Sequence, residues 1–279
     1  MQSIAVMSTK GGVGKTKVTA GLGRSLKAHG FKVGFLDLDW VAPTLNLELG
    51  IPAETKLRLD KSVGDFIKPV ITPEGFPLVS STFIFPPNQA ILADEDAKIK
   101  DIQELMKPGV IDWGPIDYLM IDTPPSTEKF MQSGLRIGNL RGVVMVTQPA
   151  ISSLTDVIRT VSLMRDLQIP VIGLICNQMF VICPHGEKIN LYDLKEEDIT
   201  HFCDSQGVRF LGSLPHVIPG MGPIPFNGIS EHVINDQPRT LQKLKNSTLP
   251  YNLLMAIVRK KKEQAMGLGN KGVEGITNG

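Results

Sequence analysis

The chain has 279 residues, of which 42% are hydrophobic and 20% charged, a composition that excludes disordered and fibrous proteins and predicts a buried core. Its 29 Lys and Arg residues nearly balance 28 Asp and Glu residues, so the net charge gives no sign of nucleic-acid binding. Three cysteines do not make a disulfide framework, and no apolar run reaches the about 18 residues of a membrane helix, so we expect a cytoplasmic protein.

Six short apolar runs predict strands buried in a parallel sheet. Between them, apolar residues recur at helical spacing in residues 154–167, and Gly30 predicts the end of the first helix after His29. Residues 69–87, rich in Pro and Gly, predict a loop with one short strand inserted before a polar helix near residues 94–106. The order predicts an α/β fold with a doubly wound, mostly parallel sheet. The six runs are residues 4–7, 33–38, 118–121, 143–146, 171–175 and 210–214.

The last part of the chain combines an apolar run at residues 253–258 with four basic residues at 259–262. We expect a helix that packs on the core and exposes its basic end; a basic amphipathic membrane anchor is the alternative. The residues that follow are rich in Gly and poor in large apolar side chains. We therefore predict one folded domain over residues 1–262 and a Gly-rich disordered tail over residues 263–279.

A glycine-rich loop follows the first predicted strand and leads into a helix. Its end, Gly14-Lys15-Thr16, matches the phosphate-binding loop, although Thr9 stands where that pattern has its first glycine. Backbone N–H groups at the glycines and the helix N-terminus bind phosphate oxygens, the lysine reaches the outer phosphates and the threonine hydroxyl meets Mg²⁺. The residues predicted to bind ATP here are Lys10, Gly11, Gly12, Val13, Gly14, Lys15, Thr16 and Lys17.

Acidic residues end two of the predicted strands. Asp37 and Asp39 follow the second strand, and Asp122 ends the third. In an open α/β sheet the ligand lies at these strand ends, where one carboxylate can support Mg²⁺ and another can orient the attacking water. Such residues are often only helix caps, but beside a phosphate loop we expect Asp39 and Asp122 to be functional.

Together the phosphate loop, the Asp37-Leu38-Asp39 pair and Asp122-Thr123-Pro124-Pro125 resemble the MinD/ParA/Mrp superfamily of deviant Walker A ATPases, which are SIMIBI-type P-loop NTPases. Within that superfamily the chain is similar to the Mrp-type iron–sulfur cluster carriers. The resemblance spans residues 3–240. The segments that carry it are residues 113–125, 146–149, 170–173, 176–180 and 183–185.

The resemblance implies roles for particular residues. Lys10 would reach the nucleotide of the opposite subunit in an ATP-bound homodimer, while Lys15 holds the phosphates of its own subunit. Asp39 would position the hydrolytic water, and Thr16, Asp39 and Asp122 would support Mg²⁺. Asn177 would contact the adenine edge, and Pro215 would pack on the base.

The chain departs from the carrier pattern at its cysteine motif. Carriers have Cys-Pro-x-Cys, whereas this chain has Cys183-Pro184-His185-Gly186, and Ser126 replaces a Gly after the Pro pair. Two Cys183 thiols in a homodimer, with His185, could still hold an iron–sulfur cluster or zinc. The alternative is a leftover cysteine in a client-binding loop. Cys176 and Cys203 are expected to be core residues.

These features favour a homodimeric, slow ATPase that resembles an Mrp-type carrier or assembly factor, with ATP and Mg²⁺ as ligands and an unidentified client protein as partner. Two alternatives stay open. One is a MinD/ParA-like positioning ATPase that binds a membrane, DNA or a protein. The other is an accessory ATPase for metalloenzyme maturation that has lost the cluster site.

Overall fold

The computed structural model describes residues 1–8, 10–39, 43–60, 66–83, 95–124, 139–217, 224–242 and 249–265. Strands and helices alternate along these residues. The strands are β1 (Gln2–Met7), β2 (Val33–Asp37), β3 (Arg58–Asp60), β4 (Phe66–Lys68), β5 (Val70–Ile71), β6 (Pro77–Ser80), β7 (Tyr118–Asp122), β8 (Leu140–Thr147), β9 (Val171–Ile182), β10 (Lys188–Asn190) and β11 (Phe210–Pro215). The helices are α1 (Lys15–Ala28), α2 (Leu45–Glu48), α3 (Glu95–Leu105), α4 (Ile151–Leu167), α5 (Glu196–Gln206), α6 (Asn227–Asn235) and α7 (Leu249–Ala265).

Nine of the described strands form one sheet in the order β10-β9-β8-β1-β7-β2-β6-β5, with β11 paired to β9 as well. The central pairs are parallel, and only β5 and β10 run antiparallel to their neighbours. Strands β3 and β4 form a separate antiparallel pair. The predicted doubly wound, mostly parallel α/β fold is therefore confirmed.

The central strand β1 shows why the predicted strands are apolar throughout. Ile4 and Val6 belong to one hydrophobic cluster together with residues of α1 and α6, whereas Ala5 and Met7 belong to the other, with residues of α4, α5 and α7. Successive side chains of a strand point to opposite faces. Because helices cover both faces of this sheet, an alternating polar pattern is absent.

The segment over residues 69–87 differs from its prediction. It contains two described strands, β5 and β6, and β6 pairs in parallel with β2 as a member of the main sheet. Leu78 and Val79 are buried between the two layers, while Pro77 stands at the first position of the strand, where a missing N–H is tolerated. The segment therefore contains one strand more than predicted, and β6 belongs to the core of the main sheet; residues 84–87 lie outside the described part.

The C-terminal helix α7 packs on the core, as expected. Leu254 is fully buried in the same cluster as residues of α4 and α5, and Lys261 forms an ion pair of 3.0 Å with Asp198. Met255 is 42% exposed. No helix within the described residues is long and apolar enough to cross a membrane.

The predicted domain boundary at residue 262 falls inside α7, which continues to Ala265. The three added residues, Glu263, Gln264 and Ala265, are good helix formers, so the helix has no reason to end at the basic cluster. The rest of the predicted tail lies outside the described residues.

Candidate nucleotide site

The glycine-rich loop connects β1 to α1 with two residues in the left-handed backbone region. Gly12 and Gly14 have φ values of 81° and 82°, a backbone conformation that residues other than glycine adopt only at a cost in conformational energy. A Cβ atom at Gly14 would also come within 2.4 Å of Asn177 Nδ2. Backbone conformation and space thus both require glycine at position 14.

The first turn of α1 can bind an anion. Its N-cap residue, Gly14, forms no side-chain cap hydrogen bond, and the first N–H groups of a helix have no acceptor within the helix. With Lys15 in the same turn, these donors match the chemistry of phosphate oxygens. The loop therefore fits the phosphates of a nucleotide.

The carboxylate of Asp122 contacts three polar side chains of α1. At the end of β7 its carboxylate is fully buried, with Lys15 Nζ at 2.7 Å from Oδ1 and Thr16 Oγ1 donating to Oδ2 at 2.7 Å. Thr19 Oγ1 donates to Oδ1 at 2.9 Å. The predicted residues Lys15, Thr16 and Asp122 are brought together, and Thr19 joins them.

Thr19 was not predicted from the sequence. It is fully buried one helical turn after Lys15, whose carbonyl oxygen also accepts a hydrogen bond from its hydroxyl at 3.1 Å. Its position four residues after Lys15 and three after Thr16 puts it on the same face of a helix. That spacing was the available signal.

Asp37, the last residue of β2, and Asp39, two residues later, lie in different environments. Asp37 is 1% exposed, and its oxygens accept hydrogen bonds from the N–H of Asp39 at 3.0 Å, the N–H of Leu45 at 3.3 Å and Ser80 Oγ at 3.2 Å. Burial, and then the negative charge of Asp122, raise the pKa of Asp37 to about 8. Asp39 Oδ2 is 4.0 Å from Lys15 Nζ. Asp37 thus fixes the backbone that carries Asp39 towards Lys15.

Two predicted base-contacting residues lie on neighbouring strands: Asn177 is in the middle of β9, and Pro215 ends β11. Asn177 is 5% exposed and donates from Nδ2 to the carbonyl oxygen of Val13 at 2.8 Å. Pro215 is buried opposite Phe180. Asn177 therefore braces the phosphate loop, and the contacts of Asn177 and Pro215 with adenine stay predictions.

The two remaining lysines of the loop are exposed. Lys10 Nζ donates to Ser152 Oγ at 3.2 Å, at the start of α4. Lys17 lines a cavity of about 400 Å³ beside α1, together with Arg24 and Phe226. Both ammonium groups are reachable from outside the chain.

Cys183 occupies a tight turn between β9 and β10. Its N–H donates to the carbonyl oxygen of Glu187 and its own carbonyl accepts from the N–H of Gly186, both at 2.9 Å. Its side chain is half-buried, and His185 next to it is exposed. Gly186 has a φ of 85°, as the turn requires.

The other two cysteines are buried. Burial raises the pKa of the Cys203 thiol to about 12 and raises that of Cys176 further, so neither forms a thiolate readily. Of the three cysteines, only Cys183 is open to solvent. Among the described residues of one copy, no three His, Cys, Asp or Glu side chains are grouped to hold a metal ion.

A family model for ParA, described as the NUBPL iron-transfer P-loop NTPase, matches residues 1–221. The chain is 33% identical over 215 residues to the iron-sulfur cluster carrier protein of Aquifex aeolicus, covering 76% of this chain and 57% of that protein. It is 35% identical over 188 residues to the carrier of Methanococcus maripaludis, with 67% and 63% covered. This chain thus matches less than two thirds of the length of these two carriers.

A third relative matches over nearly its full length. The cytosolic Fe-S cluster assembly factor NUBP2 homolog of Dictyostelium discoideum is 30% identical over 259 residues, 89% of this chain and 93% of that protein. Among solved structures, an ADP-bound nucleotide-binding protein from Archaeoglobus fulgidus has a TM-score of 0.64 at 23% identity, with 88% and 93% of the chains covered. MinD from Pyrococcus horikoshii has a TM-score of 0.53 at 22% identity, with 97% and 99% covered. These structures support the fold.

Proposed function

This chain belongs to the ParA family, in the group described as NUBPL iron-transfer P-loop NTPases, and we propose that it is a cytoplasmic, ATP-hydrolysing homodimer that carries an iron–sulfur cluster to a client protein. The observation that supports ATP binding is the contact of Lys15 and Thr16 with the buried carboxylate of Asp122, at the N-terminus of α1, which has no side-chain cap. The cargo part follows from the 30–35% identity to proteins named as cluster carriers or assembly factors.

The residues of the site have different tasks in this proposal. The N–H groups of residues 11–16 and the ammonium group of Lys15 bind the phosphates. Thr16 offers an oxygen ligand of the kind Mg²⁺ prefers, while Asp39 and the buried carboxylate of Asp122, which accepts a hydrogen bond from Thr16, support the ion. Bound Mg²⁺ would neutralise phosphate charge. Asp39 holds the hydrolytic water in line with the outer phosphate. Phosphate release from ATP, measured with and without Mg²⁺, tests this part.

The cargo site needs two copies of the chain. One copy offers a single accessible thiol, Cys183, with the imidazole of His185 beside it in the same turn. Two copies together would offer two thiolates and two imidazoles, a mixed ligand set that iron–sulfur clusters accept. Zinc accepts the same set.

We expect Cys183→Ser to abolish cluster loading and to weaken the homodimer, because the substitution removes the soft thiolate ligand from both copies at once. The measurement is anaerobic reconstitution with ferrous iron and sulfide, followed by the absorbance spectrum and the iron and zinc content per dimer. Cys203→Ala is the matched control, since it removes a buried thiol from α5 and should leave the metal content unchanged. Parental protein without stoichiometric metal would refute the cargo proposal.

That negative result would favour a second function. The motif Cys183-Pro184-His185-Gly186 has one cysteine where carriers have two, which is the specific observation in favour of an accessory ATPase that binds its client without a cluster. In that case the client should bind in an ATP-dependent manner. Cys183→Ser should then leave client binding intact.

The homodimer depends on Lys10 in this proposal. We expect Lys10→Ala to bind ATP but to dimerise at least about tenfold more weakly, because an interfacial phosphate would lose its charge partner. The test is light scattering with ATP on an Asp39→Ala background, where hydrolysis cannot dissolve the dimer. Ser152→Ala is the matched control: it removes the contact of Lys10 within one copy and keeps the lysine. A dimer of normal stability with Lys10→Ala would count against the cross-subunit role.

A further inference from the structure

A second cavity lies at the edge of the sheet opposite the phosphate loop. It has a volume of about 640 Å³ and sits where β2, β6 and β7 begin, whereas Asp37 and Asp122 mark the ends of β2 and β7. We call it the amino-edge groove, defined by residues 27, 30–33, 69, 71, 75–77 and 112–116. A molecule bound there would leave the phosphate loop accessible.

The groove is lined by apolar side chains that remain partly open. Ile71 on the edge strand β5 is 62% exposed, and Phe31 and Trp113 are only half-buried. The side chains of Ile116 and Trp113 form the floor of the groove, and they pack directly against Gly34. A Cβ atom at position 34 would come within 2.9 Å of Ile116 and 3.3 Å of Trp113. Trp113 also begins the stretch that resembles the carriers, yet it lies away from every residue of the nucleotide site. Partly exposed apolar patches of this kind mark contact surfaces.

The charges at the rim favour an acidic occupant. The side chains that line the groove include two basic ones, Lys27 and Lys32, and one acidic one, Asp112, which accepts a hydrogen bond from the N–H of Gly114 at 3.2 Å. The carboxylate of Asp117 is not part of the lining and accepts a hydrogen bond from the N–H of Lys32 at 2.8 Å. Among the described residues the ammonium group of Lys32 enters no ion pair.

A second ammonium group stands at the same rim. Lys27 Nζ lies 4.6 Å from the ring centre of Phe76 and donates to the carbonyl oxygen of Glu74. The carboxylate of Glu74 is held by Arg24 at 2.7 Å. Lys27 and Lys32 thus give the apolar floor a positive border.

We propose that the amino-edge groove docks an extended segment of a partner protein in which an aromatic or aliphatic side chain stands next to a carboxylate. The apolar anchor covers Trp113 and Ile71, and the carboxylate meets Lys27 and Lys32. Small-molecule sites bury most of their ligand, whereas this groove has exposed walls. An aromatic floor with a polar, charged rim is the pattern of a protein interface. The inference goes beyond the ATPase and carrier functions and does not depend on them.

The test is selection from a random-peptide phage library on the immobilised, full-length chain. We expect enrichment of peptides with an apolar residue beside Asp or Glu. Binding should fall at least tenfold with Ile71→Asp and with Lys32→Glu, both on exposed side chains. The first places a charge against the apolar anchor, and the second places a negative charge against the carboxylate. Ile189→Asp is the matched control, an isoleucine 50% exposed on the edge strand β10; it should bind like the parent.

Fluorescence then locates the bound peptide. The chain has two tryptophans, so a Trp40→Phe background leaves Trp113 as the sole indole, and an enriched peptide should shift its emission. The proposal is overturned if no peptide is enriched over the Ile71→Asp protein, if the enriched peptides lack acidic residues, or if they leave Trp113 emission unchanged. It is equally overturned if light scattering shows that Ile71→Asp breaks a dimer, since the groove would then bind a second copy. Unchanged cluster loading of Ile71→Asp separates this outcome from the carrier proposal.

Discussion

Lys15→Ala should lower the affinity for ATP about 100-fold or more, enough to abolish binding at micromolar concentrations. The side chain of Lys15 is 7% exposed and lies in the first turn of α1, so its interaction with phosphate is charge-assisted and largely shielded from water. A hydrogen bond to a charged group contributes about 3 kcal/mol at the upper end, which corresponds to about 100-fold in affinity. Titration calorimetry with ATP measures the loss.

The substitution also affects the free protein, because Lys15 is the cation 2.7 Å from the buried carboxylate of Asp122. Among the described residues, that carboxylate then keeps the hydroxyl groups of Thr16 and Thr19 and has no cation, so the melting temperature should fall. Lys15→Gln separates the two effects, since its amide can still donate to Asp122 while it carries no charge for phosphate. Lys107→Ala, in an exposed pair with Glu104, controls for the loss of a surface lysine. ATP affinity unchanged in a folded Lys15→Gln protein would refute the phosphate-loop assignment.

Much of the nucleotide site could be predicted because its residues are close in sequence or end predicted strands. Lys15 and Thr16 follow from a short motif, and Asp122 follows from its position after an apolar run; the structure places these three side chains in contact, and their binding roles stay predictions. The roles of Asp39, Lys10, Asn177 and Pro215 rest on the resemblance and remain untested.

What could not be predicted depends on contacts between distant segments. Thr19 contributes through a hydrogen bond to a residue 103 positions away. Asp37 and Asp39 look equivalent in the sequence, and only the packing of β6 and α2 around Asp37 separates them. The amino-edge groove likewise combines residues 27–33, 69–77 and 112–116, none of which forms a motif by itself.

The different environments of Asp37 and Asp39 make Asp39 the better candidate for orienting the attacking water. Asp37 and Asp122 are 1% and 0% exposed, so solvent does not reach either carboxylate. The side chain of Asp39 is 10% exposed and lies 4.0 Å from Lys15 Nζ. A carboxylate that positions a water molecule beside the phosphates must be reachable by water.

Asp39→Ala should therefore bind ATP at least as tightly as the parent and hydrolyse it about 100-fold more slowly or worse. Binding is retained because Lys15 keeps its contact with Asp122 and one negative charge near the phosphates is removed. Turnover falls because the loss of a group that orients or deprotonates the nucleophile typically costs a factor of about 100 to 10,000. The measurements are ATP affinity by calorimetry and single-turnover phosphate release.

Asp39→Asn sharpens the test, since the amide keeps the size of the side chain and removes its charge. If charge and basicity are what Asp39 contributes, Asn should be nearly as slow as Ala. If the residue only fills space, Asn should restore turnover. Asp204→Ala, at an exposed position of α5, should hydrolyse ATP at the parental rate. Parental turnover in both Asp39 variants would assign the water to another residue and leave Asp39 as a neighbour of Lys15 without a catalytic role.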